Sequence, residues 1–373
     1  MKILQIHNKY QFKGGEDSVV DEEAKLLRHH GHEVQQLFRN NLEINSLSNK
    51  IKTFINLPYS KESINILRKE LSNSNKPDIA HVHNIFPLWT NSIFDILKEK
   101  KIPIVMTIHN YRLLWSGISL FDKESKHYGY FKGSKFKTFL LSRWLNKNKN
   151  LLNNISKFIL LTDFTKEKFE IAGFKKDKLI IKPNFISKKK IIIKKISTKN
   201  DAIFLSRIAK DKGIYTLLKS WKNINLKLNV YGDGELLNKI KNWNKNKNCI
   251  FHGSVDRNKG IDELNKSKLL IFPSEWYECM PMTILESFRE GTLVLASNIG
   301  SIKSIIKNKY NGILFKPGDP NDLKEKIEWI LRNPKICDTI TRNALNDFNK
   351  KYTEEKNYQE LINLYNYVIT SQN

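Results

Sequence analysis

The stretch Lys268-Leu269-Leu270-Ile271-Phe272-Pro273-Ser274-Glu275-Trp276-Tyr277-Glu278-Cys279-Met280-Pro281-Met282-Thr283-Ile284-Leu285-Glu286-Ser287 carries a short apolar run, a loop and the opening of a helix. The run Lys268–Phe272 reads as a buried strand of a parallel sheet. Pro281 and Thr283 suit the first turn of a helix. Such a helix aims its first N–H groups at a phosphate. Glu278 in the loop and Glu286 one turn inside the helix then stay free to accept the hydroxyls of a sugar. A glutamate pair at that spacing also arises by chance, but its loop-then-helix setting behind a buried strand does not.

Outward from this stretch, short apolar runs alternate with amphipathic ones. A first series of strands is expected at Lys2–His7, Glu33–Phe38, Asp78–His83, Ile104–His109, Phe158–Thr162 and Leu179–Lys182. A second is expected at Ala202–Ser206, Lys227–Tyr231, Cys249–His252, Lys268–Phe272, Leu293–Ser297 and Gly312–Phe315. Helical patterns separate most of them, among them Ser18–His30, Thr165–Ala172, Gly213–Trp221, Glu235–Asn246 and Met282–Glu290. Strands alternating with helices predict an α/β fold with parallel sheets covered on both faces, and two series predict two such domains. The expected division is 1–186, a basic linker over 187–200, and 201–353. A last helix over 354–373, with Tyr358, Leu361, Ile362, Leu364, Tyr365 and Val368 on its apolar stripe, can pack back on the first domain.

The 373 residues hold 64 Lys+Arg against 38 Asp+Glu, a formal charge of +26, and 40% of them are hydrophobic. That apolar share excludes wholesale disorder. Three cysteines, Cys249, Cys279 and Cys337, make no disulfide framework and no zinc spacing, which points to a reducing, cytoplasmic compartment. No secretory h-region follows Met1, and no run of about eighteen apolar residues offers a membrane span. The charge admits nucleic acid, an anionic membrane or anionic small substrates; Lys is its main contributor, and the abundance of Lys, Asn and Ile together partly reflects an A/T-rich coding bias. From Lys123 to Lys149 eight basic residues, including Lys132, Lys135, Lys137 and Arg143, meet one acid and are interleaved with aromatics such as Trp144. Two readings stand: a helix in the headgroup layer of an anionic bilayer, or one that buries its aromatics and solvates its lysines. No helix-turn-helix, zinc-finger or RNA-recognition signature accompanies the charge.

In an open parallel sheet, ligands bind outside the carboxyl ends of the strands. After the first strand, Gly14 and Gly15 admit a ligand close to a helix N-terminus, though the third glycine of a dinucleotide fingerprint is absent and a plain turn is the bland alternative. His109 ends the fourth strand, where it can donate to a sugar hydroxyl or to developing charge; a lone histidine is more often structural. Arg207 and Lys212 flank the first strand-to-helix loop of the second series, where two cations and free N–H groups can hold a diphosphate.

Taken in order, these pieces resemble one family. They are Gly14-Gly15-Glu16, His81-Val82-His83-Asn84, Ile108-His109-Asn110-Tyr111, Leu161-Thr162-Asp163-Phe164, Lys182-Pro183-Asn184, Ser206-Arg207 with Lys212-Gly213, Gly232-Asp233-Gly234, Phe251-His252-Gly253, the two glutamates, and Asn311-Gly312-Ile313-Leu314-Phe315. The chain resembles the retaining family 4 glycosyltransferases of the GT-B fold, of the kind that builds bacterial surface polysaccharide. The resemblance implies two Rossmann-like domains whose sheets face each other across a cleft. It implies transfer of a hexosyl group from a UDP- or GDP-linked sugar to a saccharide acceptor, lipid-linked at the inner face of the plasma membrane. No cofactor is implied, and the lack of an Asp-x-Asp triplet disfavours the metal-bridged alternative.

The resemblance also implies roles. Arg207 and Lys212 would neutralise the diphosphate, helped by N–H groups around Met282, Thr283 and Ile284. Glu278 would accept from the transferred sugar and Glu286 from the ribose. His109 would contact the donor sugar, Gly14 and Gly15 would admit the phosphates, and the base would sit near Gly253 to Asp256. Glu16, Asn84 and Arg112 are the acceptor-side candidates. Ser206 departs from the glycine common in the family, and Ser301-Ile302-Lys303-Ser304 departs from its Gly, Pro and Glu. Rivals remain: a sugar-nucleotide epimerase, which needs no acceptor, or a glycogen-type polymerase on the same fold, and a basic nucleic-acid-binding protein, which leaves the glutamate pair unexplained.

Overall fold

The computed structural model describes residues 1–11, 14–57, 59–73, 76–117, 149–187 and 198–371. The candidate membrane residues Lys132, Lys135, Lys137, Arg143 and Trp144, and most of the basic linker, lie outside the described residues. Two compact units are present: Met1–Lys182 with Tyr358–Asn373, and Pro183–Asn357. The first division falls four residues before the sequence boundary, because the Asn184 amide reaches Met280 Sδ and the Ile186 amide donates to the Tyr352 carbonyl, both inside the second unit.

The first unit is built on β1 (Lys2–Lys9), β2 (Glu33–Asn40), β3 (Ile79–Val82), β4 (Ile104–Ile108), β5 (Lys157–Leu160) and β6 (Leu179–Ile181). They pair in parallel in the order β2-β1-β3-β4-β5-β6. The strand order reverses between β1 and β3, and the carboxyl ends of those strands flank a crevice there. The helix Gly15–His29 starts three residues earlier than the periodicity predicts. Asp17 explains the shift: its carboxylate accepts from the Gly14 amide at 2.9 Å and caps the helix from inside its first turn. Ala24 and Leu27 of that helix pack with Ile3, Ile79, Val105 and Ile159 of the sheet, and Leu361, Leu364, Tyr365 and Val368 of the C-terminal helix Glu354–Thr370 complete the same core.

The second unit carries β7 (Asn200–Leu205), β8 (Leu228–Tyr231), β9 (Cys249–Gly253), β10 (Ser267–Phe272), β11 (Leu293–Ser297) and β12 (Ile313–Phe315). Their order is β12-β11-β10-β7-β8-β9, all parallel, so the switch point lies between β7 and β10. Phe204, Trp221, Ile271, Leu295 and Phe315 lie in its core. The helix expected over Glu235–Asn246 is shorter, Leu237–Trp243, because Gly234 at φ +156° holds the chain out of helical geometry before it. All three cysteines are free thiols and buried.

Candidate active site

The switch point of the second unit brings the loop after β7 against the loop after β10. Gly213 makes that approach possible: it sits at φ +69°, and a Cβ there would lie 1.8 Å from the Pro273 carbonyl oxygen. The Glu275 amide donates to the Asp211 carbonyl at 2.9 Å, and the Thr216 hydroxyl donates to Glu275 Oε1 at 2.6 Å. With the loops clamped, the Lys212 ammonium pairs directly with the Glu278 carboxylate, which also accepts from the Ser274 hydroxyl at 3.0 Å. Arg207 lies earlier on the same loop after β7, with its guanidinium on Asp211 at 3.0 Å, and its side chain is 58% exposed. The sequence therefore places Arg207, Lys212 and Glu278 on one linked pair of loops.

A second cluster in the same unit holds the other donor-side candidates. The helix Met282–Arg289 follows Pro281, whose ring offers no cap to its first N–H groups. Glu286 is buried, and Arg257 Nε donates to it at 3.0 Å. Asp256 caps the helix Arg257–Lys266 by accepting from the Lys259 amide. Gly253 sits at φ +77° with open space where a Cβ would stand, and its carbonyl accepts from the Gly232 amide at 2.8 Å. Ile284 is fully buried and its amide is bonded to the Pro281 carbonyl, so its side chain serves the core.

Sequence reading left both glutamates unpaired, and the structure corrects this: each carries a cation. Arg257 and Ser274 were not singled out. A basic residue directly after the capping Asp256, and a serine four residues before Glu278, were the available signals.

In the first unit, Asn84 follows β3 and Arg112 follows β4. Arg112 Nη1 donates to Asn84 Oδ1 at 3.2 Å, and its guanidinium lies 5.3 Å from the ring centres of both Tyr10 and Phe86. The Tyr10 hydroxyl donates to Glu16 Oε2 at 2.8 Å, while Glu16 Oε1 is buried with no hydrogen bond among the described residues. Burial pushes the Glu16 carboxyl up, against the pull of His7 and Arg112. The three acceptor-side candidates thus form one polar group. Beside it, a cavity of about 100 Å³ is bordered by Leu57, Asn84, Phe86, Met106, His109 and Arg112. Gly15 lies exposed in the first turn of its helix.

Behind the cavity is a buried cluster. Glu23 Oε1 lies 2.9 Å from His81 Nδ1 and 3.4 Å from His83 Nε2, and the three side chains could hold a metal ion. Charge argues against that use. Lys182 Nζ stands 3.8 Å from Glu23 Oε2, itself buried, so the carboxylate is already balanced. A divalent ion would add two uncompensated charges where the side chains are 0 to 3% exposed.

Two doubly wound parallel sheets define the GT-B class of glycosyltransferase fold. A sucrose-phosphate synthase from Thermosynechococcus elongatus shares it, with a TM-score of 0.79 over 99% of each chain at 16% identity. Residues 13–190 match the family model for glycosyltransferase family 4, and residues 185–347 match that for glycosyl transferases group 1. The chain belongs to these glycosyltransferases. It is 27% identical over 369 residues to an uncharacterized glycosyltransferase of Methanocaldococcus jannaschii, 95% of each chain. It is 29% identical over 143 residues to the UDP-Gal:alpha-D-GlcNAc-diphosphoundecaprenol alpha-1,3-galactosyltransferase of Escherichia coli, 36% of this chain and 35% of that one.

Proposed function

We propose that this glycosyltransferase moves a hexosyl group, with retention of configuration, from a UDP- or GDP-linked sugar to a lipid-linked saccharide in bacterial surface-polysaccharide synthesis. The observation that carries the reading is the Lys212–Glu278 pair at the switch point of the second sheet, with Arg207 on the same loop. The bond from the anomeric carbon to the diphosphate breaks as that carbon bonds to the acceptor oxygen, so negative charge grows on the leaving diphosphate. Lys212, Arg207 and the uncapped N–H groups at Met282 and Thr283 supply fixed positive charge for it. Glu278, released from Lys212 as the ammonium turns to phosphate, accepts from a hydroxyl of the transferred sugar. Glu286 and Arg257 serve the ribose side, with the base near Gly253 and Asp256. These groups replace a divalent cation, and none is required.

The acceptor belongs to the first unit, where Glu16, Asn84 and Arg112 offer polar groups beside an apolar cavity wall. The Escherichia coli relative's name gives it a diphosphoundecaprenol-linked acceptor. A lipid-linked acceptor fits a second feature. The helix Leu47–Asn56 exposes Leu47, Ile51, Phe54 and Ile55 at helical spacing, each more than half exposed, and ends at Leu57 on the cavity border. Such a stripe suits peripheral contact with a bilayer; among the described residues no helix is long and apolar enough to cross one.

A thermal-shift panel of UDP, GDP, ADP, dTDP, NAD and a short DNA duplex, each with and without EDTA, tests the reading. Stabilisation by one nucleoside diphosphate, indifferent to EDTA, is the expected result. Stabilisation by DNA alone overturns it, and sugar conversion without an acceptor returns the epimerase.

A further inference from the structure

One line of buried groups ends at His109, and its geometry fixes what that residue can offer a ligand. Glu23, on the helix Gly15–His29, holds Oε1 3.4 Å from Nε2 of His83. Nδ1 of His83 lies 3.1 Å from Nε2 of His109, with the two rings stacked at 5.4 Å between centres. Glu23 and His83 are buried, whereas His109 is partly exposed and borders the cavity.

A neutral imidazole has one N–H and one lone pair, so the proton position on one ring sets that on the next. Burial pushes His83 down to about 3 and His109 well below the usual histidine range, so both rings are neutral near pH 7. Burial works to raise the Glu23 carboxyl, but the neighbouring imidazoles, His81 foremost, hold it well below its ordinary range, so it is ionised. His7, His81, Lys182 and Tyr365 face the same cluster from β1, β3, the end of β6 and the C-terminal helix.

The 3.4 Å contact is too loose for a full hydrogen bond, and Nε2 of His83 has no other partner among the described residues. The field of the carboxylate therefore decides. A lone pair facing it would be repelled, so Nε2 of His83 carries the hydrogen and Nδ1 of His83 is left to accept. His109 must then donate from Nε2, and its Nδ1 keeps a lone pair.

We propose that Glu23 and His83 are positioning residues that lock His109 as a hydrogen-bond acceptor at Nδ1, so that the cavity takes a sugar hydroxyl there and rejects an anionic oxygen. This rests on the reading of His109 as a sugar-contacting residue, and it reverses the donor role read from the sequence.

The test is long-range proton–nitrogen correlation on the full chain labelled with nitrogen-15 histidine, with His109 assigned by loss of its signals in His109→Gln. Near neutral pH, His109 is expected to carry its proton on Nε2 alone and to stay neutral down to about pH 5.5, below the ordinary histidine midpoint. A proton on Nδ1, an even mixture of tautomers, or titration within that range overturns the relay. His83→Phe should mix the two tautomers of His109 while the amide spectrum stays folded; an unchanged tautomer there overturns it as well. Glu23→Gln leaves Lys182 unpaired and can fail to fold, so His83→Phe carries the kinetic arm. Its kcat should fall about tenfold, the lower range for loss of an orienting partner, with KM for a sugar linked to the nucleoside diphosphate that stabilises the chain within about twofold. A fall in binding alone overturns the positioning role. If the tautomer holds but His109→Gln turns over normally, the sugar-contacting reading fails and the hydroxyl selection falls with it.

Discussion

The two sheets use their switch points for opposite electrostatic purposes. In the second unit the charges lie near solvent: Lys212 and Glu278 are each 18% exposed at the side chain, and Arg207 is 58% exposed. In the first unit Glu23, His81 and His83 are 0 to 3% exposed and locked among one another. Pairs near solvent exchange partners at small cost, which is what cations need if they are to leave a carboxylate for a diphosphate. Buried pairs do not exchange, because breaking one strands a charge in a poor dielectric. One crevice is built to bind and release, the other to hold its geometry.

The largest test of that contrast is to loosen the rigid side. Leu361 is fully buried where the C-terminal helix covers the first sheet, and Tyr365 on the same helix places its hydroxyl 2.6 Å from His81 Nδ1. Leu361→Ala should cost about 2–5 kcal/mol of stability, measured by urea unfolding. A cost under about 1 kcal/mol, the value of a well-relaxed site, would mean the helix does not brace the buried network.

Next comes the labile side. Lys212→Ala should raise the barrier by about 2–4 kcal/mol, a loss of roughly 30- to 1000-fold in kcat, as for one preorganised donor to developing charge. The fold should survive, because the partner Glu278 is near solvent and keeps its Ser274 hydrogen bond. Near-wild-type turnover would remove Lys212 from the chemistry.

The contrast also explains which parts of the molecule the sequence makes readable. Every strand of both sheets is foreseen within two residues at either end, from Lys2–Lys9 to Ile313–Phe315, because most of them are short apolar runs, as parallel strands covered on both faces are; β2, a half-exposed edge strand, is less so. Lys212, Arg207 and Glu278 are visible because loops beside strand ends are where ligands go. The pairing of Glu278 with Lys212 is invisible, since it depends on β7 lying beside β10, and that of Glu286 with Arg257 depends on the helix Arg257–Lys266 packing beside the helix Met282–Arg289; sequence order reveals neither. Glu23 hides for a related reason: it occupies the core face of its helix beside Ala24 and Leu27, where periodicity alone marks a charged residue as exposed.

Acid should strike the two units unequally. His83 is held down to about 3 when folded, by burial first and by the neighbouring His81 next. Between that value and the unfolded histidine value of about 6.5, the unfolded chain binds a proton that the folded chain refuses. Stability from this group is therefore complete above about pH 6.5 and is lost as pH falls toward the folded value. Glu23, also depressed on folding, adds loss below the unfolded carboxylate range. In the second unit His252 is shifted in the same direction, by burial, but it is partly exposed, and so is Glu263, the carboxylate that opposes the shift. Hydrogen exchange from neutral pH to about pH 5, inside the window set by the histidine reference value, should show protection falling first around β1, β3 and the C-terminal helix. Equal loss in both sheets would erase the contrast.

The smallest expected effect is at Arg207. Its pair with Asp211 is a surface i,i+4 contact at 3.0 Å, worth at most about 1 kcal/mol after screening and side-chain entropy. Asp211→Asn should therefore leave stability within about 0.5 kcal/mol of wild type. Its consequence should appear in binding, because the carboxylate competes with a diphosphate for the same guanidinium. Removing it frees Arg207, so the thermal shift given by the nucleoside diphosphate should grow at low salt. The gain should shrink as added salt screens an interaction between exposed groups. The Asp211 carbonyl, not its side chain, accepts the Glu275 amide, so the clamp between the two loops survives the substitution. A stability loss of several kcal/mol would place this pair with the buried network of the first unit, and the division between labile and locked charge would fail where it is easiest to check.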